Sequence, residues 1–221
     1  MAGCWQTEKR AVLDASREIA AKGLVVGAAG NVSVRLGGQG DELLAITPSR
    51  KSYHELAVDD IQIIDFDADS IEGDQVPSVE SMMHIGAYRR RPDVRAVVHT
   101  HSVYASVLAV AGLELPPIID EMVMSIGGEV AVTEYAFPSS EELAENVSEA
   151  LCERNAVLLA NHGVVGVGAD LREAITVCEL VERAAQVYVL ARAIGQVRLL
   201  PDDVVATEKE LFKMMHLAES C

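Results

Sequence analysis

Residues 155–168 read NAVLLANHGVVGVG. Two apolar runs, NAVLLAN and GVVGVG, flank Asn161-His162-Gly163. Asparagine and glycine accept the left-handed backbone of a tight turn, so the stretch is a strand, a turn and a second strand. Strands joined so closely pair antiparallel. The same device stands upstream, where VSVRL (32–36) and ELLAIT (42–47) are separated by the glycine-rich GGQGD (37–41). IQIIDFD (61–67) is another strand candidate. VRAVVHT (94–100) is apolar enough to be a buried one.

Helices alternate with these strands. WQTEKRAVLDASREIAAKG places apolar residues at helical spacing over roughly residues 5–22 and stops at Gly23. SVESMMHIGAYRRRP is expected to be a helix capped by Ser78, with Glu80 in its first turn, and closed off by Pro92. SVYASVLAVAG is a short helix, and PSSEELAENVSEALCER an amphipathic one behind a capping serine. Asp170 to Ile194 forms a long helix, and a last one follows Pro201. PPIID and EMVMSIGGEVAV between them read as irregular and then extended. The expectation is a three-layer α/β/α fold with a mostly antiparallel central sheet. No repeat, low-complexity tract or linker interrupts the order, so residues 1–221 are expected to form a single domain.

Composition excludes several classes of partner. Eighteen basic against 34 acidic residues give a net charge of −16, a field that repels a phosphate backbone and supplies no basic stripe to track one, so nucleic acid is not expected. A small anion is not excluded, because a metal ion and oriented N–H groups reverse the potential inside one pocket. No run approaches the ~18 apolar residues of a membrane span, and MAGCWQTEKR has no apolar signal core. A cytoplasmic protein without membrane attachment is expected. Cys4, Cys152, Cys178 and Cys221 have no CxxC spacing and are read as reduced bystanders.

The histidines carry the chemical signal. In a strand, residues i and i+2 face the same way, so His99 and His101 in HTHS project together at a strand end. Alone, that pair reads equally as two polar residues closing the strand. His162, in a glycine-flanked turn after an apolar strand, is the candidate third nitrogen, although a lone turn histidine is otherwise solvated. Three imidazoles with an open fourth position suit a catalytic divalent ion. Glu80 is the carboxylate to test beside them, against its bland reading as an acid favoured by the helix dipole. His84, one turn after Glu80, is read as packing or orienting that helix, and His54 and His216 as surface residues. Met82-Met83 and Met214-Met215 are read as core filler.

GNVSVR, ITPS, PSVE, HTHS and NHGVVGVG, in this order from about Ala11 to residue 195, resemble the class II aldolase/adducin family. Its sugar-phosphate aldolases of the L-fuculose-1-phosphate kind are the most similar branch. The resemblance implies that His99, His101 and His162 bind a divalent ion, zinc ahead of manganese or cobalt, with Glu80 as a displaceable fourth ligand and acid/base. It implies that Gly30, Asn31, Ser49, Arg50 and Ser78 hold the substrate phosphate. N–H groups at glycine turns and a helix start, with hydroxyls beside them, make physical sense as such a cradle. The implied activity is cleavage of a ketose 1-phosphate, such as L-fuculose 1-phosphate or a 5-deoxyketose 1-phosphate, into dihydroxyacetone phosphate and an aldehyde through a metal-stabilised enediolate. A homotetramer with active sites near subunit boundaries is implied as well.

The departures from the pattern bear on substrate. Val79 replaces a serine, removing one hydroxyl, and Arg50 replaces a glycine, adding a guanidinium. Glu121 stands where the fuculose-phosphate aldolases have a tyrosine that protonates the aldehyde oxygen, and Tyr135 is a second candidate for that duty. A related decarboxylase or dehydratase remains the alternative within enzymes. A non-catalytic adducin-like interaction domain is the alternative outside them, against which the three histidines with Glu80 argue.

Overall fold

The computed structural model describes residues 5–37 and 42–216. Residues 38–41 of the expected GGQGD turn lie outside them. Helix α1 (Gln6–Ala21) leads into strands β1 (Asn31–Arg35), β2 (Leu43–Ile46), β3 (Gln62–Asp65) and β4 (Ser70–Glu72). Then come α2 (Ser81–Arg90), β5 (Ala96–Thr100), α3 (Val103–Ala111), α4 (Asp120–Ile126) and α5 (Glu141–Ala150). The hairpin β6 (Ala156–Leu159) and β7 (Gly163–Gly168) and the helices α6 (Leu171–Ile194) and α7 (Asp202–His216) complete the chain.

The strands form one seven-stranded sheet in the order β4-β3-β2-β1-β5-β7-β6, antiparallel at every step. Alternation along the strands sorts side chains onto its two faces. Val32, Ala45, Ile63, Ala96 and Val98 pack with Val12, Leu13 and Ile19 of α1 and Ile175 of α6. Leu44, Ile46, Ile64, Val97 and Val165 face the other way, onto Met83 and Tyr88 of α2 and Leu143 and Val147 of α5. A third cluster gathers α3, α4 and the middle of α6 over Ala156, Leu158 and Val164. The expected layered α/β/α class with an antiparallel sheet is therefore what the chain adopts. Among the described residues, no helix is long and apolar enough to cross a membrane.

Four expectations are corrected. Ser78 does not cap α2: the helix starts at Ser81, and Glu80 occupies the cap position. A bridge between Pro48 and Pro77 holds the preceding segment extended, and Ser78 N–H donates to the Thr47 carbonyl, so the chain cannot turn helical earlier. Residues 120–126 form helix α4 rather than an extended segment, because Met122, Val123 and Ile126 fall on one buried helical face. Met214 and Met215 are exposed, since α7 buries only Phe212. His216 is not a bare surface residue: its Nε2 lies 3.0 Å from Glu173, and its ring stacks on Phe212. Strand β4 has no alternating pattern to reveal it; it is a three-residue edge strand paired to β3 across an irregular register.

Close packing of α6 on β7 depends on Gly166, where an added Cβ would stand 2.6 Å from Cys178 Sγ. Gly166→Val is expected to cost about 1–3 kcal/mol of stability through overpacking. Urea denaturation of the two proteins measures it, and an unchanged midpoint would mean that α6 has room to retreat.

Candidate active site

The ladder of β1, β5 and β7 assembles the site. Asn31 pairs with His99, and His99 with Val165, so three strands present their ends side by side. His99 is fully buried on the face that α2 covers. Two residues on, His101 leaves the strand, and its N–H donates to the Leu24 carbonyl 3.1 Å away. His162 comes from the β6–β7 turn, where Asn161 adopts the left-handed conformation with φ of 57°. The turn fits tightly over β5: a Cβ on Gly163 would approach the Thr100 carbonyl oxygen to 2.3 Å.

The three imidazoles converge. Their ring centroids are 4.7–4.9 Å apart in edge-on arrangements, and one nitrogen of each lies within 4.8 Å of the others. His99 Nδ1 is 3.0 Å from the Val164 carbonyl, which can only accept, so Nδ1 carries the proton and the Nε2 lone pair points inward. That Nε2 is 2.9 Å from His101 Nε2. Burial, then the neighbouring His101 and His162 rings, pushes His99 well below the usual histidine range. Burial and His162 lower His101, with Glu80 acting in the opposite direction. Neutral imidazoles with converging lone pairs are the donor set a divalent ion requires.

Glu80, at the start of α2, closes the cluster. Its Oε2 is 3.5 Å from His99 Nε2, and its Oε1 is 3.3 Å from His162 Nε2. Oε2 accepts a 2.7 Å hydrogen bond from Asn31 Nδ2, whereas Oε1 is buried without a hydrogen bond. An orphaned carboxylate oxygen beside three imidazoles is costly in a dry site. A cation there would satisfy it, so the residues fit a divalent metal.

Behind Asn31 runs a buried polar chain. Asn31 Oδ1 meets His84 Nε2, His84 Nδ1 is 2.7 Å from the Ser33 hydroxyl, and that hydroxyl is 2.7 Å from the Tyr88 phenol. His84 is fully buried and pushed down to about 3, by desolvation first and the His99 ring second. Sequence reasoning placed His84 as packing or orienting α2 but missed Ser33 and Tyr88. The available signal was periodicity, because Ser33 shares the strand face of Asn31, and Tyr88 lies one turn beyond His84.

Two of the residues expected to cradle phosphate, Ser49 and Ser78, come together beside Glu80. Ser49 Oγ donates to the Pro77 carbonyl at 2.7 Å and accepts from Val79 N–H at 3.1 Å, and Ser78 Oγ accepts from Glu80 N–H at 3.3 Å. The ITPS and PSVE segments thus lie together beside Glu80. Gly30 has φ of 76°, and a Cβ there would strike the His99 carbonyl, so this turn requires glycine. Arg50 is exposed in a left-handed conformation, with φ of 62°. The Asn31 side chain is already engaged with Glu80 and His84, which leaves one amide hydrogen. Glu121 and Tyr135 are not brought in: Glu121 is exposed 3.4 Å from Arg183, and Tyr135 is 59% exposed.

Residues 10–189 match the sequence profile of the Class II Aldolase and Adducin N-terminal domain. The chain belongs to the class II aldolase and adducin family. Within it, a 5-deoxy-D-ribulose 1-phosphate aldolase from Bacillus thuringiensis serovar kurstaki is 37% identical over 198 residues, 90% of this chain and 92% of that protein. A 3-oxo-tetronate 4-phosphate decarboxylase from Haemophilus influenzae is 32% identical, over 90% of this chain and 94% of its own length. The solved structure of an L-fuculose 1-phosphate aldolase superposes with a TM-score of 0.88 at 36% identity, covering 96% of this chain and 98% of that one.

The neutral burial of His84 has a pH consequence. In the unfolded chain it takes up a proton below about pH 6.5, and in the folded chain only near 3. Stability is therefore full above the first value and falls as pH drops toward the second, by about 1.4 kcal/mol per pH unit for this group. Urea denaturation of the parent protein and His84→Gln at a series of pH values should show a flatter acid limb in the variant. Parallel limbs would contradict the burial account.

Proposed function

We propose that the protein is a metal-dependent aldolase that cleaves a ketose 1-phosphate into dihydroxyacetone phosphate and an aldehyde. The observation that carries this reading is the Glu80 carboxylate, one oxygen anchored and the other free of hydrogen bonds, set against three converging imidazoles. The substrates named for its relatives, 5-deoxy-D-ribulose 1-phosphate and L-fuculose 1-phosphate, define the class.

His99, His101 and His162 would hold the ion, zinc ahead of manganese or cobalt because imidazole suits all three. Bound there, it supplies Lewis acidity, drawing electrons from the substrate carbonyl and offsetting the charge left when the carbon–carbon bond breaks. The side chains do the rest. Gly30, Asn31, Ser49, Arg50 and Ser78 orient the phosphate, with the Arg50 guanidinium standing in for the hydroxyl missing at Val79. When the C3–C4 bond breaks, its electron pair stays on C3, and Glu80 delivers a proton there; in synthesis Glu80 removes that same proton. The C4 hydroxyl proton leaves to the Glu121 carboxylate of a neighbouring subunit, with the Tyr135 phenol the second candidate for donating the proton to the aldehyde oxygen in synthesis, since both are exposed in their own chain.

That assignment requires an oligomer, and we read a homotetramer with sites near subunit boundaries. Exposed apolar residues on α3 and α6, among them Val103, Val107, Val110, Leu190 and Ile194, support it. The single sheet supports one domain across residues 1–221. The small phosphorylated substrate, the acidic surface and the absence of a membrane-crossing helix among the described residues fit a cytoplasmic enzyme. Decarboxylation is the second reading, favoured by the Haemophilus influenzae relative.

Metal analysis should find about one divalent ion per chain, lost in His162→Ala. Glu80→Gln should keep the ion while kcat falls about 10²- to 10⁴-fold; a fully active variant would move the proton-transfer role elsewhere. Offering dihydroxyacetone phosphate with a panel of aldehydes should yield ketose 1-phosphates. No product with any aldehyde, together with carbon dioxide release from a 3-oxo acid phosphate, would replace the aldolase with the decarboxylase.

A further inference from the structure

The buried chain behind Glu80 has one consistent direction. A carboxylate oxygen presents lone pairs, so the Asn31 group facing it must be the N–H, 2.7 Å away. The Asn31 carbonyl oxygen then faces His84 Nε2, which must carry the imidazole proton. His84 Nδ1 is left bare and accepts from the Ser33 hydroxyl, whose oxygen accepts from the Tyr88 phenol. All four residues are at most 3% exposed, so water cannot substitute for a lost link. Were His84 to take the other tautomer, Asn31 would turn its carbonyl toward Glu80, and two acceptors would meet in a dry site.

We propose that His84 is a positioning residue for the proton-transfer step: acting through Asn31, it pins Glu80 Oε2 and thereby makes Oε1 the oxygen that gives and takes the proton. The proposal rests on the aldolase reading for the step it serves, while the hydrogen-bond direction stands on the geometry alone. Oε1 is the buried oxygen without a hydrogen bond, and it lies on the side of His162, which is less buried than His99. The anchor fixes the carboxylate plane, so the free oxygen does not have to find its place at each turnover. Tyr88 and Ser33 set the polarity at the far end of the chain, beyond any contact with substrate.

Three measurements test this. Nitrogen NMR of the intact protein should show His84 protonated at Nε2 and bare at Nδ1, and Glu80→Gln should shift the Nε2 proton through Asn31, to which both residues are hydrogen-bonded. The opposite tautomer, or a proton signal indifferent to Glu80→Gln, overturns the chain. In cleavage assays, His84→Leu should lower kcat about 10- to 100-fold with KM little changed and the metal content kept. His84→Gln, whose amide again offers a donor to Asn31 and an acceptor to Ser33, should recover most of that loss. A folded His84→Leu with parental kcat overturns the positioning role, as does a folded His84→Gln as slow as a metal-free protein. If His84→Leu does not fold, the glutamine variant and the NMR signals carry the decision. A parent protein without cleavage activity, but with the expected tautomer and coupling, removes the aldolase reading and the proton-transfer role while leaving the anchoring of Oε2 intact.

Discussion

Asn31 and His99 stand opposite each other across the β1–β5 ladder, and His99 stands opposite Val165 on β7. That double antiparallel pairing is the constraint on which the site depends. It sets the residue that anchors the carboxylate beside a metal-ligating candidate, and it brings the Val164 carbonyl to His99 Nδ1, which fixes the tautomer. A slip of one residue in either ladder would turn His99 to the opposite face of the sheet, into the apolar packing of α1 and α6. The register is held because Val97 and Val98 must each keep their own side of the core.

Burial then gives the site its electrical character. His84, His99 and His101 are held below the ordinary histidine range chiefly by desolvation, so lone pairs rather than positive charges gather around Glu80. Paying for neutral buried histidines is worthwhile only where each nitrogen has a partner. His84 meets that condition at both nitrogens, through Asn31 and Ser33, and His99 at Nδ1 alone, through a backbone carbonyl. The nitrogens that face the cluster instead lie against the Glu80 carboxylate, His99 Nε2 near Oε2 and His162 Nε2 near Oε1.

The rim that carries Ser49 and Ser78, the expected phosphate cradle, obeys a different logic. Its groups come from loops tied together by backbone bonds, such as Ser49 N–H to the Val76 carbonyl and Ser78 N–H to the Thr47 carbonyl. Loops bound to one another in this way hold the Ser49 and Ser78 hydroxyls in place, while Arg50 stays exposed.

Much of this was legible in the chain itself. Turn residues between apolar runs established the antiparallel hairpins, helical periodicity located six of the seven helices, and the two-residue spacing of His99 and His101 put both imidazoles at one strand end. These are local matters, decided by backbone sterics and the repeat of side-chain direction. Helix α4 escaped notice because packing against α6, far along the chain, selects it, and strand β4 because three edge residues paired across an irregular register carry no alternation. Only the tertiary structure decided that His162 meets the pair, that α2 begins at Ser81 and sets Glu80 at its cap, and that Asn31, Ser33, His84 and Tyr88 form one polarised chain. Each joins residues tens of positions apart, and a sequence specifies such meetings only through the register and burial that the whole fold imposes.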